Sequence, residues 1–365
     1  MQKPEPKLTH MPFHIKQRIT DSATNAGTKL ALSQVSKQFQ SLAKDSSIKY
    51  DELRIEMDAD KVSVIRKACF PKPIYGVLYG GYLDGEDKKL VMEFSAHEDG
   101  VLMINPTSGW QKMLPEKDYR KAAVQYCLSI MNAKTRIEEF TLTTNEDVLD
   151  SGLGEDFFPN AYPKEKFEED RTVVMDEIRK ILPGLKHRLI IETITFGFQI
   201  TDSELLQILL CLEPGTLQEI YPRPQFSYHI FINPIILNLE QISETEQWKG
   251  AKKLDIFNYK CDLPLEKWTN FEELSIRLTR PQLAMKEIIE KFISRPTFKK
   301  LTVGCSEGFD AAGVTEYLDQ FEQELVEQDE EFRDDSTNLS IRLPNEPNSK
   351  VEISIEPTLL WIQRK

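Results

Sequence analysis

Three segments between residues 250 and 305 repeat one pattern, an apolar position followed by two like charges and then apolar-x-apolar. They are GAKKLDIF (250–257), TNFEELSIRL (269–278) and TFKKLTVGC (297–305). Alternation of this kind marks a strand with one buried face. The wider template, apolar-x-x-apolar-x-apolar, is also filled by Ile137/Phe140/Leu142 and Ile191/Ile194/Phe196. Middle anchors fall at Phe140, Ile194, Ile220, Leu254, Leu274 and Leu301, with intervals after Ile194 of 26, 34, 20 and 27 residues. A unit this short cannot bury its own apolar face, so neighbouring units must share faces. The intervals suit a strand-plus-helix repeat of the leucine-rich type, although the Asn or Cys that usually closes each turn is missing. A doubly wound sheet alternates strand and helix too.

Helical phrases stand between the strands. Residues 118–132 carry Ala122, Tyr126 and Ile130 at helical spacing, and 168–182 carry Val174, Ile178 and Ile181. TDSELLQILLCL opens with a capping box from Thr201 to Glu204 and is stopped by Pro214-Gly215. RPQLAMKEIIEKFISRP ends at Pro296, and GVTEYLDQFEQELVEQ places Val314, Tyr317, Leu318, Phe321 and Leu325 on one face. Residues 50–115 alternate with period two between Asp/Gly turn signals, with a hairpin tip predicted around Asp84-Gly85. Residues 1–10 read as a loose polar tail and 11–45 as two or three short helices.

Charge and motif content exclude several function classes. The formal net charge is −13 and no Lys/Arg stripe is present, so the field repels phosphate backbones and nucleic acid is not an expected partner. Five scattered cysteines without a C-x-x-C pair read as reduced thiols of an intracellular protein, cytoplasmic or nuclear. The N-terminus has no apolar h-region, and the most apolar stretch, Leu205–Leu212, is too short to cross a bilayer, so no membrane is expected. SGLGEDFF has a Gly-x-Gly without the third glycine, and no Walker-type loop, G-x-S-x-G or H-E-x-x-H occurs. The histidines are isolated. No enzyme activity, cofactor or metal is expected. The acidic run at 322–335 reads as a solvated helix face and loop, and Trp248 and Trp268 as core.

Two stretches resemble known families. MPFHIKQRITDS…LALSQVSKQFQSLAKD is similar to an F-box, with Met11-Pro12, Ile15, Ile19, Leu30, Leu32, Val35, Ser36, Phe39 and Leu42 at the motif's positions. Ser22 replaces a customary Leu and ATNAGT the usual acidic connector. LLCLEPGTLQEI, QISETEQWKGAKKLDI and FEELSIRL resemble the FTH domain of the large nematode F-box family, over 185–330, and KVEISIEPTLLWIQRK looks like that family's closing strands. The resemblance implies a substrate receptor that docks on a Skp-type adaptor within a cullin–RING ubiquitin ligase and holds an unknown protein target.

The fold class expected is therefore α/β: a small N-terminal helical F-box-like module, a β-rich section and an irregular leucine-rich-repeat-like β/α solenoid. The divisions are 1–10, 11–45, 50–115, 116–330 and, for the closing strands, 336–365. The adaptor-binding residues implied by the F-box resemblance are Pro12, Ile15, Ile19, Leu30, Leu32, Val35 and Phe39. Residues between the strand anchors point to the other sheet face. That rule nominates Glu139, Thr141, Thr193, Thr195, Lys253, Asp255, Glu273, Ser275, Arg277, Lys300 and Thr302 as the target-binding surface. Two alternatives stand beside this reading, a binding scaffold whose F-box has decayed and an enzyme built on a doubly wound sheet.

Overall fold

A computed structural model describes residues 48–68, 88–144, 164–222, 236–279, 285–305, 322–325, 337–343, 346–356 and 358–365, with Gly308, Val314, Leu318 and Asp319. The helical module expected over 11–45 and the hairpin tip at Asp84-Gly85 lie outside the described residues. The chain divides into two compact units. Of the described residues, the first holds those up to 144, 164–195 and 211–213; the second holds 196–210 and those from 214 onward.

In the first unit β1 (Ile48–Met57), β2 (Lys61–Ala68), β3 (Lys88–His97), β4 (Gly100–Asn105) and β5 (Trp110–Leu114) form an antiparallel meander. Then come α1 (Tyr119–Ser129), β6 (Thr135–Thr144), α2 (Lys164–Ile181) and β7 (Ile190–Phe196). The strand order is β7-β6-β1-β2-β3-β4-β5, with β6 parallel to β1. Alternation puts Leu53, Ile55, Val62, Val64, Met92 and Phe94 on the face toward α1, where all are buried and the Phe94 and Tyr126 rings lie 5.5 Å apart. Helix α1 starts where Asp118 accepts from the Arg120 and Lys121 backbone N–H groups. Arg120 ties α1 to α2, bonding Asp118, Glu169 and the fully buried Asp170.

The second unit contains α3 (Asp202–Leu210), β8 (Glu219–Pro222), β9 (Ile236–Leu237), α4 (Glu240–Ser243), α5 (Glu246–Gly250), β10 (Lys253–Cys261), β11 (Glu273–Leu278), α6 (Met285–Ile293), β12 (Lys300–Cys305), β13 (Glu322–Leu325), β14 (Thr337–Leu343), β15 (Glu346–Ile355) and β16 (Leu359–Arg364). Its order is β13-β14-β15-β16-β12-β11-β10-β8, with β9 beside β10. Strands β8, β10, β11 and β12 are parallel; β16, β15, β14 and β13 follow antiparallel. The capping box closes at α3, where the Thr201 N–H donates to Glu204 Oε2 at 2.8 Å and the Glu204 N–H to Thr201 Oγ1 at 3.3 Å.

These sheets correct the expected fold class. A leucine-rich-repeat-like solenoid needs every strand parallel to the last, whereas both units mix parallel and antiparallel pairing: the first is mostly an antiparallel meander, and the second has as many antiparallel pairings as parallel ones. Only four consecutive neighbours of the second unit run parallel before β16 reverses the direction. The template that prompted the expectation describes a strand with one covered face, and it is the same whichever way the neighbouring strand runs.

The repeated phrase acquires a physical meaning in the second unit. Lys252 and Lys253 both donate their N–H to the Gln218 carbonyl; Glu272 and Glu273 do the same to Lys252, and Lys299 and Lys300 to Glu272. Each charge pair thus opens its strand against the carbonyl that precedes the neighbouring strand's first residue. The apolar residue before it (Ala251, Phe271 or Phe298) is buried. Behind it Ile220, Leu254, Leu274, Leu301 and Ile362 form one buried cross-strand row.

Candidate functional site

The residues between those anchors form the opposite, polar face of the second unit's sheet. One row reads Glu219, Lys253, Glu273, Lys300, Gln363, Glu352 and Ser340 across seven strands. A second reads Asp255, Ser275, Thr302, Trp361, Ser354 and Asn338. The nominated residues here are half-buried, apart from the exposed Lys300, while the anchors beneath are buried. Register therefore brings together seven nominated residues: Lys253, Asp255, Glu273, Ser275, Arg277, Lys300 and Thr302.

Charges in the first row alternate in sign. Lys253 Nζ lies 2.8 Å from Glu219 Oε1 and 3.6 Å from Glu273 Oε1. The hydrogen bond to Glu219 raises the Lys253 ammonium above its usual range, against a smaller effect of burial. Pairs this accessible to solvent are worth about 0–1 kcal/mol each. Their stronger consequence is to hold charges of alternate sign at fixed spacing on an open face. Beyond the second row, the Arg277 guanidinium stacks 4.9 Å from the Phe257 ring, and burial lowers its pKa.

A rigid aromatic core supports these strands from the α5 side. Thr245 caps α5 by accepting from the Trp248 N–H. Trp248 then meets Trp268 at 5.7 Å and Phe271 edge-on at 5.1 Å, and its indole N–H donates to the Lys267 carbonyl. The Asn270 amide donates to the carbonyls of Trp248 and Ala251 at 2.7 and 3.1 Å. The segment EQWKGAKKL is thereby clamped to the start of β11, which sets the register of Lys253 against Glu273.

Four nominated residues lie in the first unit. Glu139 and Thr141 stand on β6, and Thr193 and Thr195 on β7. Glu139 Oε1 accepts from the hydroxyls of Thr141 at 3.2 Å and Thr195 at 3.1 Å, and Thr141 is itself buried. Pro12, Ile15, Ile19, Leu30, Leu32, Val35 and Phe39 lie outside the described residues. Sequence reasoning missed Glu219, Phe257, Glu352, Trp361 and Gln363. The alternation within KVEISIEPTLLWIQRK carried the signal for the last three, but not the neighbour they would pair with.

Among the described residues no group of three or more His, Cys, Asp or Glu side chains is placed to hold a metal ion, and no helix is long and apolar enough to cross a membrane. Residues 172–321 match the family model of the FTH domain, a span that begins within α2 and takes in β7 to β12. Over that span, which is less than half of the chain, the sequence is similar to the FTH domain. No curated protein and no solved structure matches the chain.

Proposed function

We propose that this chain is an FTH-domain protein and a non-catalytic substrate receptor of a cullin–RING ubiquitin ligase, working inside the cell. The FTH domain is an F-box-associated, protein-interaction type of domain, and that match over 172–321 is the observation that carries the reading. The same residues contain the open polar rows of β10, β11 and β12, which supply a broad face of alternating charge on a rigid core. In this reading residues 11–45 dock on a Skp-type adaptor, with Pro12, Ile15, Ile19, Leu30, Leu32, Val35 and Phe39 as the apolar contacts. The face around Lys253, Glu273, Arg277 and Lys300 holds a protein target, and the chain works by keeping the two together.

Deletion of 11–44 tests the adaptor half. Co-purification with the Skp-type adaptor should be lost while the remaining chain keeps its cooperative melt; retained binding would overturn the assignment. Adaptor and cullin missing from the full-length eluate at physiological salt would favour the scaffold reading, which Ser22 and the ATNAGT connector motivate. Charge reversal of Lys253 and Lys300 tests the other half, through loss of target capture with adaptor binding unchanged.

A further inference from the structure

The end strand of the first unit's sheet, β5, is held in place without being covered. Its register with β4 is complete, from Asn105 opposite Trp110 to Val101 opposite Leu114. A tight turn closes one end, where the Gly109 N–H donates to the Asn105 carbonyl and the Ser108 N–H to the Asn105 side chain, both at 2.9 Å. At the other end Gly100 adopts φ 143°, and a Cβ there would lie 2.3 Å from the Leu114 carbonyl oxygen, so only glycine permits the approach.

Despite this fixed backbone, Trp110, Gln111, Lys112 and Met113 are all exposed. Four large apolar side chains are exposed among the described residues, and two of them, Trp110 at 48% and Met113 at 38%, stand on this five-residue strand. They point to opposite faces, since side chains alternate along a strand: Trp110 and Lys112 share one face, Gln111 and Met113 the other. A helix laid on the sheet would cover one of the two apolar groups. An added strand flanks both, and it also takes up the N–H and C=O groups that every second residue of an end strand directs away from its neighbour.

Charge narrows the occupant further. Lys112 is the only charged residue of β5, and it has no ion pair among the described residues. A lysine on a short end strand turns away basic and apolar neighbours but accepts a carboxylate directly opposite. We propose that β5 is a docking edge for an extended segment of a partner protein, added antiparallel. That segment would read apolar, acidic, any residue, apolar, opposite Met113, Lys112, Gln111 and Trp110 in turn. The site lies outside 172–321 and is independent of the β10–β12 face.

The test is selection of displayed random heptapeptides on the full-length chain, followed by binding titrations and amide hydrogen exchange. Enriched peptides should share the apolar–acidic–any–apolar order and slow exchange of β5 amides. They should bind the Trp110→Ser, Met113→Ser double variant about tenfold or more weakly. Because both side chains are exposed, that variant should melt with the wild type. Lys112→Glu, a surface change, should switch the preferred acidic position to Lys or Arg. Absence of an enriched motif, or peptides that leave β5 exchange and Lys112→Glu binding unchanged, overturns the proposal. So does a concentration-dependent dimer abolished by Trp110→Ser, which would put a second copy on the edge.

Discussion

The Phe257 ring on β10 lies over Gly304 on β12 so closely that a Cβ at position 304 would come 2.9 Å from the ring's Cζ. Arg277, on the strand between them, stacks on the same ring at 4.9 Å. The missing side chain at 304 lets an aromatic group lie flat across the polar face beside the charged rows.

Gly304→Ala should therefore move Phe257 and Arg277 without unfolding the sheet. The contact is with the far end of a rotatable side chain, so the ring swings away, and alanine's strand preference offsets part of the strain. Stability should change by about 1 kcal/mol or less, read from urea unfolding. Target capture should fall with adaptor binding intact. Unchanged capture would remove Phe257 and Arg277 from the target surface.

Trp248 and Trp361 make a contrasting pair. Trp248 is 1% exposed and packed against Trp268 and Phe271, so Trp248→Ala should cost about 3–5 kcal/mol by leaving a cavity at the clamp of β10 and β11. Trp361 is half-buried on the polar face, and Trp361→Ala should cost on the order of 1 kcal/mol. Denaturation midpoints of the two variants check the difference; equal losses would contradict the assignment of Trp361 to the open face.

The Arg120 cluster predicts a pH dependence. Burial pushes the Asp118 carboxyl up, but the hydrogen bonds and charge of Arg120 outweigh it and hold the group below its ordinary 3.8. A carboxylate lowered in the folded state stabilises fully above its unfolded value, and that contribution disappears as pH falls through the folded value. Arg120→Ala removes it and leaves the fully buried Asp170 with Lys166, 3.2 Å away, in place of two cations. The variant should lose about 3 kcal/mol near neutral pH, and its acid unfolding followed by circular dichroism should begin at higher pH than the wild type's. An acid limb coincident with the wild type's would show that Asp118 does not depend on Arg120.

Much of the local structure was legible in the residues themselves. Alternation in FEELSIRL marks β11 and its buried Leu274 and Ile276; the capping box of Thr201 and Glu204 starts α3; and Trp248 and Trp268 belong to the core. These features depend on periodicity and on hydrogen bonds between residues a few positions apart, which chain order alone specifies. The direction and identity of strand neighbours depend on packing between residues far apart in the chain. KVEISIEPTLLWIQRK alternates as cleanly as the repeated phrases, yet only the folded sheet decides that β16 lies antiparallel to β12 and sets Trp361 opposite Thr302 and Gln363 opposite Lys300. A strand's pattern says which of its faces is buried, and the tertiary structure says which strand completes that face; for this reason the polar rows were half legible, and the solenoid read from the same residues gave way to mixed parallel and antiparallel pairing.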